Sequence, residues 1–260
     1  MSATLADSGS GSGRSVGARS GYVADTISFS SVDGPGNRFV IFLQGCNFDC
    51  IACHNPQTIP GHQPMEGHDP QHVSVDDLLE SIRRAAPFIR GVTASGGEAT
   101  QQPEFLRALF TAIKNDADLA HLTCFVDSNG ATPLSVWDDL APVMDGAMID
   151  LKCLDPDIHL EMTKQPNHEV LASIEHLQQL GLLYEVRLLM MAGVNDDDEL
   201  LLRTAQWLAA VDPSMRVKLI GFRGHGARPH EPPLVEPTHA ALLHAADLLW
   251  SVASFEICTI

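Results

Sequence analysis

Positive charge is what this chain has least of. Lys and Arg number 16 in 260 residues against 33 Asp and Glu, a formal charge of −17. Nucleic-acid binders gather Lys and Arg on one face to follow phosphates, so no nucleic-acid partner is expected. No run of eighteen apolar residues occurs, so no membrane span is expected. The opening MSATLADSGSGSGRSVGARSG lacks the apolar stretch of a secretory signal. It reads as a Gly/Ser-rich disordered leader over residues 1–21, ahead of one domain over 22–260. Six cysteines are too few for a disulfide scaffold in a chain this long. With no export signal a cytoplasmic location is expected, where thiols stay reduced and clustered ones serve metal or redox chemistry. Repeats smaller than a β-then-α unit are also absent.

What is present is an alternation. From Arg38 onward, RFVIFLQ, GVTASGG, LTCFVDSN, GAMIDLK, YEVRLLMMAG and MRVKLIGF are near-continuous apolar runs, the pattern of parallel strands in a covered sheet. Between them lie amphipathic helical segments, the first with Ser74 as N-cap and Asp76 and Asp77 in its first turn, the fourth closed by Gly181. Six such units predict an α/β domain: an open, partial (βα)6 barrel or a doubly wound sheet, with SFEICTI as a seventh strand. Both architectures gather chemistry where strands end. The cysteine loop, SGGE, DSNG, DLK, AGVNDDD and FRGHG each follow a predicted strand in turn, and together they predict one site.

The stretch LQGCNFDCIACHNPQT places Cys46, Cys50 and Cys53 on one short loop. Thiolates suit zinc, iron–sulfur clusters and Cu(I). Three sulfurs on a tight loop wrap three corners of a cubane and leave the fourth iron open to an outside ligand. The rival is a Cys3His zinc site completed by His54, although zinc ligands more often come as two separated pairs. Three packed core cysteines are the bland reading, against which stand the polar neighbours Asn47, Asp49, His54 and Asn55. Gly96 and Gly97 let backbone approach a ligand, and Glu98 accepts hydrogen bonds from an ammonium.

GCNFDCIACHNPQT resembles the signature of the radical S-adenosylmethionine (SAM) enzymes. FSSVDGPGNRFVIFLQGC, VTASGGEATQQPEFLRALF, FVDSNG, DGAMIDLK and VRLLMMAGVNDD resemble, in order, motifs of the glycyl-radical enzyme activating enzymes of the pyruvate formate-lyase activase kind. ALFTAIKND and HLTCFVDSNG are similar to the YjjW-type activases. The resemblance implies the partial (βα)6 barrel, one 4Fe–4S cluster on Cys46, Cys50 and Cys53, and SAM as cosubstrate. It further implies a glycine-bearing partner enzyme, a flavodoxin or ferredoxin as electron donor, and anaerobic work. Carried over residue by residue, it gives Gly96, Gly97 and Glu98 the SAM amino group. Asp127, Ser128 and Asp150 resemble the positions that assemble a monovalent cation by the SAM carboxylate, with Lys152 neutralising Asp150. Asp33 and Arg187 resemble the pair that contacts the substrate peptide backbone, and Glu185 is not expected to be the partner of Arg187. Asn47, Phe48 and His54 surround the cluster and tune it.

The chain departs from the family where many activases read FH after the sixth strand: here Phe222 is followed by Arg223, with His225 two residues on, and either takes the nucleoside side. A ferredoxin-like insert, common in YjjW-type relatives, is also missing, because IPGHQPMEGHDPQHVS carries no cysteine. A single cluster is therefore expected. His62, His68 and His72 read as a solvated connector, and Cys124, Cys153 and Cys258 as buried small hydrophobes. The alternatives are a radical SAM enzyme for a small molecule and a zinc-stabilised interaction protein without turnover.

Overall fold

The computed structural model describes residues 19–61 and 69–260. The expectations for residues 1–18 and for His62 and His68 lie outside this range. Among the described residues nine strands form one sheet, in the order β3 (Gln71–Ser74), β1 (Ser20–Ser30), β2 (Arg38–Leu43), β4 (Gly91–Gly96), β5 (Thr123–Ser128), β6 (Gly146–Leu151), β7 (Leu183–Met190), β8 (Arg216–Gly221) and β9 (Glu256–Thr259). The six predicted strands are present as β2, β4, β5, β6, β7 and β8. SFEICTI supplies the seventh parallel strand, β9, beside β8. The sheet ends at β3 on one side and β9 on the other, so it is open, as the predicted partial barrel requires.

The helices are α1 (Val75–Ala85), α2 (Pro103–Asn115), α3 (Leu134–Leu140), α4 (Pro156–Thr163), α5 (His168–Gln179), α6 (Asp198–Val211) and α7 (His239–Val252). Local chemistry fixes their ends. The Ser74 hydroxyl accepts the Asp77 amide at 3.1 Å while the Asp77 carboxylate accepts the Ser74 amide, a reciprocal cap on α1. Gly181 follows α5 with φ +68°. No described helix is long and apolar enough to cross a membrane.

The parallel strands succeed one another in spatial order, and right-handed crossovers then put their connecting helices on the same face, while α4 packs beneath the cysteine loop instead. Side chains alternate accordingly. Val92 and Ala94, Cys124 and Val126, Val186 and Leu188, and Val217 and Leu219 join the helices in the main core. Their neighbours Thr93, Ser95, Asp127, Asp150, Arg187 and Lys218 point to the other, concave face. The strands are buried on both faces, as expected, with the inner face mixing these polar groups with apolar ones such as Val40, Phe125 and Met148.

Three features differ from the sequence reading. An antiparallel edge, β1 (Ser20–Ser30) and β3 (Gln71–Ser74), is added beside β2 and begins inside the expected leader. Burial alternates only over residues 20–24 of β1, and residues 25–29 are all exposed. The short helix α4 arises between two predicted units, capped by Asp155, whose carboxylate accepts the Asp157 and Ile158 amides. Cys258, on the edge strand β9, is exposed rather than buried, unlike Cys124 and Cys153.

Candidate functional site

The cysteine loop leaves β2 at the carboxyl end of the sheet and is held by backbone on three sides. The amides of Gly45 and Cys46 donate to the carbonyls of Thr58 and Ile59 at 2.9 and 3.1 Å, which folds the loop back on itself. The amides of Asp49 and Ile51 donate to the carbonyls of Thr163 and Met162 at the end of α4, at 3.0 and 2.9 Å. Asn47 donates through Nδ2 to the Ala131 carbonyl at 2.7 Å. Phe48 is buried below the loop, edge-on to the His159 ring at 5.7 Å. So fixed, Cys46, Cys50 and Cys53 all line one cavity of about 260 Å³.

SGGE brings the next wall. A side-chain carbon on Gly96 would stand 2.2 Å from the Leu43 amide nitrogen, and one on Gly97 would stand 2.3 Å from the Gly45 carbonyl oxygen. Glycine is required at both positions, because the strand end lies directly on the start of the cysteine loop. The Glu98 amide then donates to the Gly45 carbonyl at 2.8 Å. Its carboxylate is buried and accepts four bonds: the Thr100 amide, the hydroxyls of Thr100 and Ser128, and the Asn129 amide, at 2.7–2.9 Å. Burial pushes this carboxyl above its ordinary range, and the four donors pull it back. Oε1 takes three of the bonds and Oε2 one, which leaves Oε2 an accepting direction. The Ser128 hydroxyl donates to Glu98 and accepts the Gly130 amide, which leaves it one lone pair. Asn129, overlooked in DSNG by the sequence reading, bonds the Asn47 side chain at 2.8 Å and so ties β5 to the cysteine loop.

Opposite lies a field of charge. Lys152 meets Asp150 at 2.6 Å, the same-face pairing expected of residues two apart. Burial alone lowers an ammonium, but Asp150 and the neighbouring Cys50 outweigh it and hold Lys152 above its usual range. Asp127 accepts from Ser95 at 2.9 Å and from Arg187 at 2.8 Å. Burial pushes its carboxyl up against the pull of Arg187, and Asp150 and Asp33 add to the push. The acids outnumber the cations here, so the cavity keeps a surplus of negative charge. Its upper wall is apolar, from Leu189 and Ile220. Asn195, in the AGVNDDD segment, sets that wall by donating to the carbonyls of Lys152 and Leu189 at 2.9 and 2.6 Å.

Other expected residues lie beyond the cavity. Arg187 bonds Glu185 at 2.9 Å as well as Asp127, and both Glu185 and Arg187 are buried, so the ion pair discounted from sequence is real. Strand alternation puts them on one face, and the polar concave side makes room for both. The Asp33 carboxylate accepts from the Ser30 hydroxyl, and its carbonyl accepts from Thr93 at 2.7 Å; among the described residues no ion pair joins it to Arg187. Arg223 and His225 do not line the cavity. Arg223 turns to Glu236 at 3.3 Å, and its carbonyl meets Nε2 of His54 at 2.8 Å.

The residues matched by the Radical SAM superfamily model run from 40 to 205. A pyruvate formate-lyase-activating enzyme of Streptococcus mutans is 33% identical over 211 residues, 79% of this chain and 79% of that protein. A pyruvate formate-lyase 1-activating enzyme of Escherichia coli K12 is 33% identical over 212 residues, 79% of this chain and 82% of that protein. The chain belongs to the radical SAM superfamily, in its family of activating enzymes. A radical SAM methyltransferase from Sphaerobacter thermophilus, 15% identical, superposes with a TM-score of 0.63 over 85% of this chain and 66% of that one, a likeness of fold. As a radical SAM enzyme the chain calls for a 4Fe–4S cluster and SAM. The donor set fits. Cys46, Cys50 and Cys53 face the same cavity, and thiolates are the donors that iron–sulfur clusters take. Among the described residues no three His, Cys, Asp or Glu side chains converge as ligands of one ion.

Proposed function

We propose that this chain activates a glycyl-radical enzyme, with Cys46, Cys50 and Cys53 holding one 4Fe–4S cluster and SAM bound in the cavity beside them. When bound, the cluster supplies one low-potential electron that splits a carbon–sulfur bond of SAM to methionine and a 5′-deoxyadenosyl radical, which takes hydrogen from a glycine Cα of the partner. The observation that carries the reading is that one cavity joins three thiols to the ends of β4, β5 and β6. The chain's own groups bind and orient. Glu98 keeps an acceptor on Oε2 for the SAM ammonium while it locks the ends of β4 and β5 together. The carboxylates of Asp127 and Asp150 suit a sulfonium ligand, and with the Ser128 hydroxyl they are the ligands we assign to a monovalent cation. Lys152 is placed to meet the SAM carboxylate. Leu189 and Ile220 offer the nucleoside an apolar wall and keep water from it, a role that Arg223 and His225 do not occupy. The open concave face, with Asp33 and Arg187 on it, admits a peptide loop from the side. A flavodoxin or ferredoxin supplies the electron.

Anaerobic reconstitution with iron and sulfide, then dithionite and SAM, tests the reading. Wild-type chain should yield 5′-deoxyadenosine by chromatography, and Cys50→Ala should yield none. A candidate partner enzyme added to the mixture should acquire a glycyl radical signal by electron paramagnetic resonance. A colourless protein carrying zinc would end the proposal.

A further inference from the structure

The loop joining β8 to α7 lies against the cysteine loop from Asp49 to His54. Nε2 of His54 meets the carbonyl of Arg223, and Gly226, at φ +83°, would bring a side-chain carbon to 3.0 Å from the His54 carbonyl oxygen. Arg228 is the charged contact of this strap. Its Nη2 donates to the Asp49 carboxylate and, at 3.0 Å, to the carbonyl oxygen of Cys50. The two residues stand 178 positions apart, so only the folded chain makes this contact. The remaining anchors of the cysteine loop, on α4 and at Ala131, are neutral carbonyls.

We propose that Arg228 is a positioning residue for the cluster, holding the middle cysteine in place and raising the cluster's reduction potential by the charge it sets on the Cys50 carbonyl. The proposal rests on the reading of Cys46, Cys50 and Cys53 as cluster ligands. Potentials of iron–sulfur sites respond to net charge, hydrogen bonding and exposure. A reduced cluster carries one more negative charge than an oxidised one, so a guanidinium at the backbone of a ligand favours the reduced form. The Asp49 carboxylate opposes it. Arg228 and Asp49 therefore act on the potential with opposite signs. A strap that merely holds the loop has no such sign: losing either partner loosens the same loop and shifts the potential the same way.

The test is a redox titration of the reconstituted full-length chain, followed by absorbance and electron paramagnetic resonance. Arg228→Ala should move the midpoint to more negative values and release iron to a chelator about tenfold faster. Asp49→Asn should move the midpoint to more positive values. Arg228→Lys, which keeps the charge, should restore the wild-type midpoint. Shifts of the same sign in Arg228→Ala and Asp49→Asn, or no shift in either, would overturn the proposal. If Arg228→Ala retains no cluster, the other two variants decide: a midpoint raised in Asp49→Asn and unchanged in Arg228→Lys supports it, and any other pair of results overturns it. A wild-type chain that takes up no reducible cluster would instead remove the reading beneath.

Discussion

Two guanidinium groups are buried in the polar face of the sheet, and they are kept there by opposite means. Arg38, at the start of β2, sits in a neutral cage. It donates to the carbonyls of Val92 and Thr123 and to the hydroxyls of Thr93 and Thr123 at 2.6–3.1 Å, with its charge 4.7 Å from the centre of the Phe125 ring. Burial lowers its pKa to about 10. Arg187, nearer the site, is enclosed by carboxylates. Burial pulls it down, but Asp127, Asp150 and Glu185 outweigh this and hold it above its usual range. Neutral acceptors satisfy a cation without leaving charge over, so the Arg38 region is a fixed part of the wall. Two of the acids around Arg187, Asp127 and Asp150, also line the cavity, where a cationic ligand meets them. Both are buried on the concave face, but Arg38 opens its strand while Arg187 lies further along its own, and the partners make one arginine structural and the other part of a site.

Removing each cation should expose that difference. Arg187→Met strands Asp127, while Glu185 keeps Lys218 at 3.4 Å, and should cost about 3–5 kcal/mol of unfolding free energy at pH 8. A stranded acid has a folded pKa above its unfolded one. The penalty is therefore full above the folded pKa and shrinks as pH falls through it. Denaturant unfolding at pH 8 and pH 5.5 should show the variant recovering part of its loss at the lower pH, and an equal loss at both would mean no carboxylate is stranded. Arg38→Met should cost about 2–4 kcal/mol, since several buried acceptors lose their donor. That loss should be the same at both pH values, because hydroxyls and carbonyls do not titrate; a pH-dependent loss would break the comparison. Within the charged region, Lys152→Met should weaken SAM binding about tenfold, or about 1.4 kcal/mol, measured by titration of the reconstituted protein. Iron content should stay at the wild-type level, and a fall would move Lys152 from ligand binding to cluster support. Ser74→Ala, at the α1 cap far from the cavity, should cost about 1 kcal/mol in the same unfolding assay and leave SAM binding unchanged.

Much of the molecule was legible before folding. RFVIFL, TCFVDS and RVKLIG announce strands because they are short, near-continuous apolar runs, the pattern of parallel strands in a covered sheet. Polar groups at successive strand ends announced a site, because chemistry gathers where strands end. β1 was not legible: residues 25–29 are exposed, and its pairing with β2 depends on contact across a turn rather than on its own pattern. α4 escaped notice because eight residues give too short a stripe to stand out. Glu185 was discounted because a sequence does not show that the concave face is polar enough to bury an acid and its arginine together.

By itself the sequence determined which atoms this protein brings to its chemistry: three thiols on one loop, two glycines where backbone must touch backbone, and carboxylates and a lysine at the strand ends. These follow from neighbours along the chain, where spacing of a few residues sets side and direction. Only the tertiary structure decided which of those groups remain free to meet a ligand. Glu98 is divided among Thr100, Ser128 and Asn129, Arg223 and His225 stand outside the cavity, and Arg228 crosses the fold to reach Cys50. A hydrogen bond is decided by which donor arrives within about 3 Å, and between residues far apart in the chain only packing brings it there.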